Sequence, residues 1–124
     1  MNRKGFTLVE VLIVVIIIGI LAAIGIPQFA DSIEKAKSGE AKAGLGHVQT
    51  GEKIYFAEHE MYTTVPGDLD ISLSEKYWAF SITVGTNSLT YTATATRSGN
   101  AHRATQTITM TDDGTMGGNW EFVD

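Results

Sequence analysis

The sequence predicts an α+β protein, a long N-terminal α-helix packed on a 3–4-stranded antiparallel sheet. Three observations predict it. Residues 11–30 carry no charge and form an aliphatic run of helix length. Residues 31–62 contain no proline and repeat small and apolar side chains at helical spacing. From Tyr77 onward the hydrophobic period falls to two, the period of strands. With 124 residues, 44% hydrophobic and 19% charged, the chain allows one modest domain and excludes a multidomain enzyme. Nine Lys+Arg against 14 Asp+Glu give a net charge of -5, so bulk charge attracts neither nucleic acid nor acidic lipid, and any such contact requires a local basic patch. The absence of cysteine excludes thiol catalysis, thiolate metal sites and a disulfide framework, leaving packing alone to hold an extracellular head.

The first element is membrane-grade. A bilayer core of ~30 Å needs ~20 helical residues, and the stretch 6–30 is long enough to span it. Arg3 and Lys4 precede it, the positive excess that holds a short N-terminus on the cytoplasmic side. A cleaved secretory signal is the plain alternative. The run exceeds the usual apolar core of such signals, and Leu21-Ala22-Ala23 matches a small-x-small cleavage site poorly. The informative residue is Glu10, since an acid in hydrocarbon costs roughly 2.5–3.5 kcal/mol on insertion scales and needs a partner. The next cation along the helix, Lys35, is ~37 Å away at 1.5 Å per residue. Two readings stay open. Glu10 reaches the interface beside Arg3 and Lys4, or it meets an α-amine that a cut after Gly5 would create on Phe6, in its own chain or a neighbour's.

Lys4-Gly5-Phe6-Thr7-Leu8-Val9-Glu10, followed by the aliphatic run, resembles the type IV prepilin signature. The continuation through Gly19, Ala22, Ala23 and Ile26-Pro27-Gln28-Phe29 is similar to type IVa pilins, so the close match covers roughly residues 3–37. This resemblance implies that a prepilin peptidase cuts between Gly5 and Phe6 and N-methylates Phe6, and that Glu10 neutralises a neighbour's N-terminus during filament assembly. It also implies that the helix loosens between Gly19 and Pro27 upon assembly. Three segments follow: a leader over 1–5, a transmembrane and filament-core helix over 6–30, and a globular head over 31–124. Removing Arg3 and Lys4 would take the formal charge from -5 to -7.

Pro27 lacks an N–H and crowds the preceding turn, which predicts a kink or local opening, at the membrane surface or in a filament. Beyond it, Ala30, Ile33, Ala41, Gly44, Val48, Gly51, Tyr55 and Tyr62 share an arc that predicts a stripe lying on the sheet. Strands are expected where Trp78, Phe80, Ile82 and Val84 alternate with small residues, where Leu89, Tyr91, Ala93 and Ala95 alternate with threonine, and at Ile108 and Met110. Trp120 with Phe122 suggests a short fourth strand. The turns fall at Gly85-Thr86-Asn87, Ser98-Gly99-Asn100 and Asp112-Asp113-Gly114. The helix-then-sheet order resembles a pilin head, although the cysteine pair that staples many pilin tails is missing. The tail must therefore be fixed by burial of Trp120 or stay mobile.

Catalytic and metal-binding patterns are sparse. His47 and His59 point about 120° apart around the helix at ~100° per residue and read as surface histidines. Asp112, Asp113 and Asn119 lack EF-hand spacing and read as a turn, and Asp68 with Asp70 as a solvated loop. No cofactor, metal site or catalytic residue is expected, and neither a nucleophile elbow, a phosphate loop nor an N-x-S/T acceptor occurs. The aromatics Phe6, Phe29, Tyr55, Phe56 and Tyr62 along the helix read as packing in preference to an electron-transfer chain.

The function expected is that of a structural subunit, not an enzyme: a type IV pilin that polymerises through its apolar helix into a surface filament for adhesion, twitching motility or DNA uptake. The alternative is a pseudopilin of a type II secretion system, and a third reading is a membrane-anchored binding module that never polymerises. The expected partners are other copies of the chain, the prepilin peptidase, the pilus assembly machinery in the inner membrane, and membrane lipid before assembly; DNA is left open. The expected location is the inner membrane, with the head in the periplasm, and then the cell surface.

Overall fold

The computed structural model describes residues 5–122, which fall into two compact units, one up to Lys35 and one from Ala36 onward. The chain enters helix α1 (Leu8–His59) three residues after the start of the description. Helical assignment continues through Pro27, which cannot donate to the Ala23 carbonyl one turn earlier. One turn further on, the Ser32 hydroxyl donates to the Gln28 carbonyl at 3.0 Å. In the first unit the aliphatic side chains of α1 are exposed, from Leu8 at 84% to Ile26 at 69%.

In the second unit one face of α1 supplies Ala41, Leu45 and Val48 to the core at helical spacing. A four-stranded antiparallel sheet in the order β1-β2-β3-β4 supplies the rest: β1 is Trp78–Val84, β2 Tyr91–Arg97, β3 Thr107–Thr111 and β4 Met116–Gly117. Trp78, Ile82, Tyr91, Ala93, Ala95, Ile108 and Met110 point into the core, and burial of each large one stabilises the head by about 1.5–3 kcal/mol. Gly44 lies under the Phe80 ring, in space a Cβ would occupy, so only glycine lets that ring reach the helix. The Trp78 indole N–H donates to the Lys37 carbonyl at 2.9 Å, tying β1 to α1.

The opposite face of the sheet is a lattice of small hydroxyls. Register aligns Ser81 with Thr94 and Thr109, Thr83 with Thr92 and Thr111, and Ala79 with Thr96 and Thr107. Threonine fits both the pleat and half-exposure there.

Several expectations are corrected. The fourth strand is Met116–Gly117, not Trp120 and Phe122. Gly118 has φ 107, and a Cβ there would run into the Thr107 carbonyl, so the chain swings out of the sheet before Trp120. Leu89 precedes β2 and is exposed, because a short 3-10 turn over Thr86–Ser88 occupies the connection. On α1 the expected Ala41, Gly44, Val48 and Gly51 are buried, joined by Glu34, Ser38, Leu45 and Glu52, whereas Ala30 and Ile33 are exposed. The connection between helix and sheet contains a 3-10 turn, Pro66–Leu69, whose Leu69 is buried.

The tail is fixed. Trp120 is 3% exposed, its ring edge-on to Trp78 at 4.9 Å and to Phe122 at 5.5 Å. Its backbone N–H donates to the Thr107 carbonyl at 2.9 Å, and Asn119 Oδ1 accepts the Thr107 N–H at 2.6 Å. Arg103 covers both rings, at 5.6 Å from that of Trp120 and 5.0 Å from that of Phe122, and pairs with Glu121.

Candidate functional site

At the start of α1, Thr7 and Glu10 form a reciprocal cap. The Glu10 N–H donates to Thr7 Oγ1 at 3.1 Å, and the Thr7 N–H donates to Glu10 Oε2 at 3.4 Å. Both join orphan groups of the first helical turn, so Glu10 has a structural use within its own chain that the sequence analysis missed. The Thr-x-x-Glu spacing before an apolar run was the signal for it. Phe6 stands just outside the helix at 85% exposure, and with Glu10, Val11, Val14 and Val15 it lines a shallow apolar groove. Phe6 and Glu10 are thus brought together, whereas Gly19 and Pro27 lie ~13 Å and ~25 Å further along the axis at 1.5 Å per residue. A Cβ built at Gly19 would meet nothing, which leaves that surface open. Arg3 and Lys4, and the reading that pairs them with Glu10, lie outside the described residues. By length and composition α1 qualifies as a membrane-crossing helix, and no part of its most apolar window is buried.

The head contains the local basic patch that its overall charge made necessary for any polyanion contact. Around the Tyr77 ring stand Lys37 Nζ at 4.6 Å, Lys76 Nζ at 5.1 Å and Arg97 Cζ at 5.5 Å. Arg97 is 3% exposed, and its Nη1 donates to the Tyr77 carbonyl at 3.1 Å and to that of Ser98, so it supports the patch from beneath. Lys76 is exposed. Sequence spacing could not have joined Lys37 on the helix to residues 76, 77 and 97; the fold does.

A second polar cluster joins the end of α1 to the loop that follows. Glu52 is fully buried, and its Oε2 accepts the Thr63 N–H at 3.1 Å. The Thr63 hydroxyl donates to Asp68 Oδ2 at 2.9 Å. Burial pushes the Glu52 carboxyl above the usual carboxylate range, the Thr63 hydrogen bond opposes this, and the Asp68 charge adds to it. Burial, then the charges of Glu52, Tyr62 and Asp112, push Tyr91 up to about 12. Tyr62 packs between the rings of Phe56, tilted at 4.8 Å, and Tyr91, edge-on at 4.7 Å.

The remaining candidates are engaged within the head. Asp113 closes the turn between β3 and β4 by accepting from the Thr111 hydroxyl and from the Thr115 N–H at 3.0 Å, which hold its carboxyl down at about 2. The Asn119 oxygen is committed to Thr107. His59 stacks on Tyr55 at 4.1 Å. Among the described residues no group of three or more His, Asp or Glu side chains converges on a point where a metal ion would sit.

Comparison with known proteins gives two family matches that together span most of the chain. Residues 1–26 match the prokaryotic N-terminal methylation motif, and residues 27–113 match the family described as type IV minor pilin ComP, DNA uptake sequence receptor. The type IV major pilin protein PilA of Myxococcus xanthus (strain DK1622) is 44% identical over 68 residues, covering 55% of this chain and 31% of that protein. The type II secretion system core protein G of Aeromonas hydrophila is 32% identical over 69 residues, covering 56% of this chain and 48% of that protein. The aligned stretches thus span a third to a half of the length of these relatives. Among solved structures, a type IV pilin from Shewanella oneidensis superposes with a TM-score of 0.49 at 12% identity, covering 68% of this chain and 86% of that one.

Proposed function

This chain belongs to the family of the type IV minor pilin ComP, DNA uptake sequence receptor, and we propose that it is a structural subunit of a type IV pilus, polymerising through the first half of α1. The carrying observation is the aliphatic surface of the first unit, exposed along its whole length. A contiguous apolar surface of that size needs lipid or further copies of the chain to cover it. Before assembly membrane lipid covers it, with the head on the periplasmic side; afterwards other subunits do, in a filament at the cell surface.

Prepilin peptidase cuts between Gly5 and Phe6 and methylates the new amine, on a residue that lines one shallow groove with Glu10. During assembly in the inner membrane the Glu10 carboxylate meets the amine of a neighbour, which sets the axial stagger of the two helices. Gly19 and Pro27, at one open surface and one missing hydrogen bond, are where α1 gives way as the filament forms. The chain contributes no catalytic step to this sequence. N-terminal sequencing of sheared surface material, combined with electron microscopy, tests the reading. N-methyl-Phe6 in long fibres is the expected result, and an intact Met1 in a membrane monomer would overturn it.

Among the uses of such a filament, the description of the family favours DNA uptake. The cations around Tyr77 support this use, since phosphates seek a basic patch beside an aromatic ring. With a formal charge of -7 once Arg3 and Lys4 are removed, binding should be weak and should fall as salt rises. Lys76→Glu should then abolish retention of duplex DNA by fibres at low salt while leaving the fibres intact. The match to a secretion core protein favours a second reading, a short periplasmic pseudopilus, which processed Phe6 without surface fibres would support.

A further inference from the structure

Glu52 has no share in the filament chemistry, yet it is a fully buried acid. Its Oε2 holds the Thr63 N–H, while its Oε1 has no partner, and the Tyr91 hydroxyl, also buried, has none either. Thr63 in turn serves the next segment, donating its hydroxyl to Asp68 and accepting the Val65 N–H at 3.1 Å. One carboxyl therefore ties α1 to the 3-10 turn Pro66–Leu69 through a single residue. The groups around this carboxyl are acidic or phenolic. Asp68 faces it from the 3-10 turn, Tyr62 from the end of the helix and Tyr91 from β2, with Asp112 beyond β3 acting on both phenols. Among the described residues its electrostatic neighbours are Asp68 and the phenols, with the Thr63 N–H as its hydrogen-bond donor. An ionised carboxylate here would keep its charge out of water with one hydrogen bond and a like-charged neighbour, a cost the neutral acid avoids.

We propose that Glu52 is carried as the neutral acid in the folded head and is a proton-operated latch on residues 62–71, closed in acid and loosened when the proton leaves. The latched segment, through Asp68, Leu69 and Ile71, forms one wall of a groove of about 290 Å³ whose other wall is Gly51, Ile54 and Tyr55 of α1. Loosening the segment widens that groove, so acidity outside the cell sets how open this part of the head is. The sign follows from proton linkage. The folded head binds the Glu52 proton more tightly than the unfolded chain does. The stability it contributes is whole in acid, below the ordinary carboxyl range, and is lost as pH rises through the higher folded value.

The test compares the full chain with its Glu52→Gln variant in neutral detergent micelles, following thermal unfolding by near-ultraviolet circular dichroism across acid to mildly alkaline pH. Glutamine keeps the acceptor for Thr63 and cannot ionise. The melting temperatures are expected to converge in acid and to separate as pH rises, with the variant the more stable by several degrees. A gap that stays constant with pH, or wild type gaining on the variant as pH rises, would overturn the latch. Should the variant fail to fold, the carboxyl carbon of Glu52 in the wild type is titrated by nuclear magnetic resonance. A midpoint above those of the exposed Glu58 and Glu60 supports the latch, and one at or below them overturns it.

Discussion

Replacing Trp120 measures what holds the tail of a head that has no disulfide. The ring is 3% exposed, wedged between Trp78 and Phe122 and covered by Arg103. Truncating a buried aromatic to alanine costs about 3–5 kcal/mol, a large part of the ~5–15 kcal/mol that holds a domain together. At ~4–8 °C per kcal/mol for a domain of this size, Trp120→Ala should lower the melting temperature by upward of ~10 °C. Trp120→Phe should behave differently. The indole N–H is buried without a partner, and such a group costs about 1–3 kcal/mol, which phenylalanine recovers while keeping most of the ring packing. The phenylalanine variant should therefore melt within ~6 °C of wild type. Thermal unfolding of the full chain in detergent, read by near-ultraviolet circular dichroism, compares the three proteins. The reasoning is refuted if Trp120→Phe loses as much as Trp120→Ala, or if Trp120→Ala melts within ~3 °C of wild type.

Two further pairs of variants separate competing roles. Glu10→Gln preserves the cap with Thr7, because glutamine serves at that position as glutamate does, but removes the charge. Electron microscopy of sheared material should show fibres lost in Glu10→Gln and kept in Thr7→Ala, whose missing cap costs only about 0.5–2 kcal/mol; fibres in Glu10→Gln would mean that the cap is what assembly needs. Gly46→Ala meets no neighbouring atom and should stabilise the head by about 0.4–1 kcal/mol, whereas Gly44→Ala drives a methyl into the Phe80 ring and should destabilise it by about 1–2 kcal/mol, both read from urea unfolding.

The sequence made the helix and three strands legible because periodicity is a local property. The alternation in residues 78–84, 91–97 and 107–111 maps onto β1, β2 and β3. The helix stripe was read with Ala41, Gly44, Val48 and Gly51 in place, but Leu45 was left out, and Ser38 and Glu52 are polar residues whose burial no apolar pattern announces. The misplaced fourth strand has a similar origin. Trp120 and Phe122 alternate as a strand would, but their rings serve a clasp with Trp78 and Arg103, set by contacts more than forty positions apart in the case of Trp78. At the candidate site, Gly5, Phe6 and Glu10 were readable as a contiguous motif. The Tyr77 patch was not, since its cations come from α1, the loop before β1, and β2. The hydrogen bond from Thr63 to Glu52 is equally invisible without the fold.

The threonine lattice on the outer face of the sheet has a consequence for crowding. None of its nine positions, from Ala79 across to Thr111, can gain or lose a proton, so brine, fresh water, acid and alkali leave its hydration alike. Copies of an acidic chain, -5 as written and -7 without Arg3 and Lys4, repel one another when concentrated, and that repulsion must arise from other surfaces. This flank, hydroxylated at eight of its nine positions, adds no charge to that repulsion.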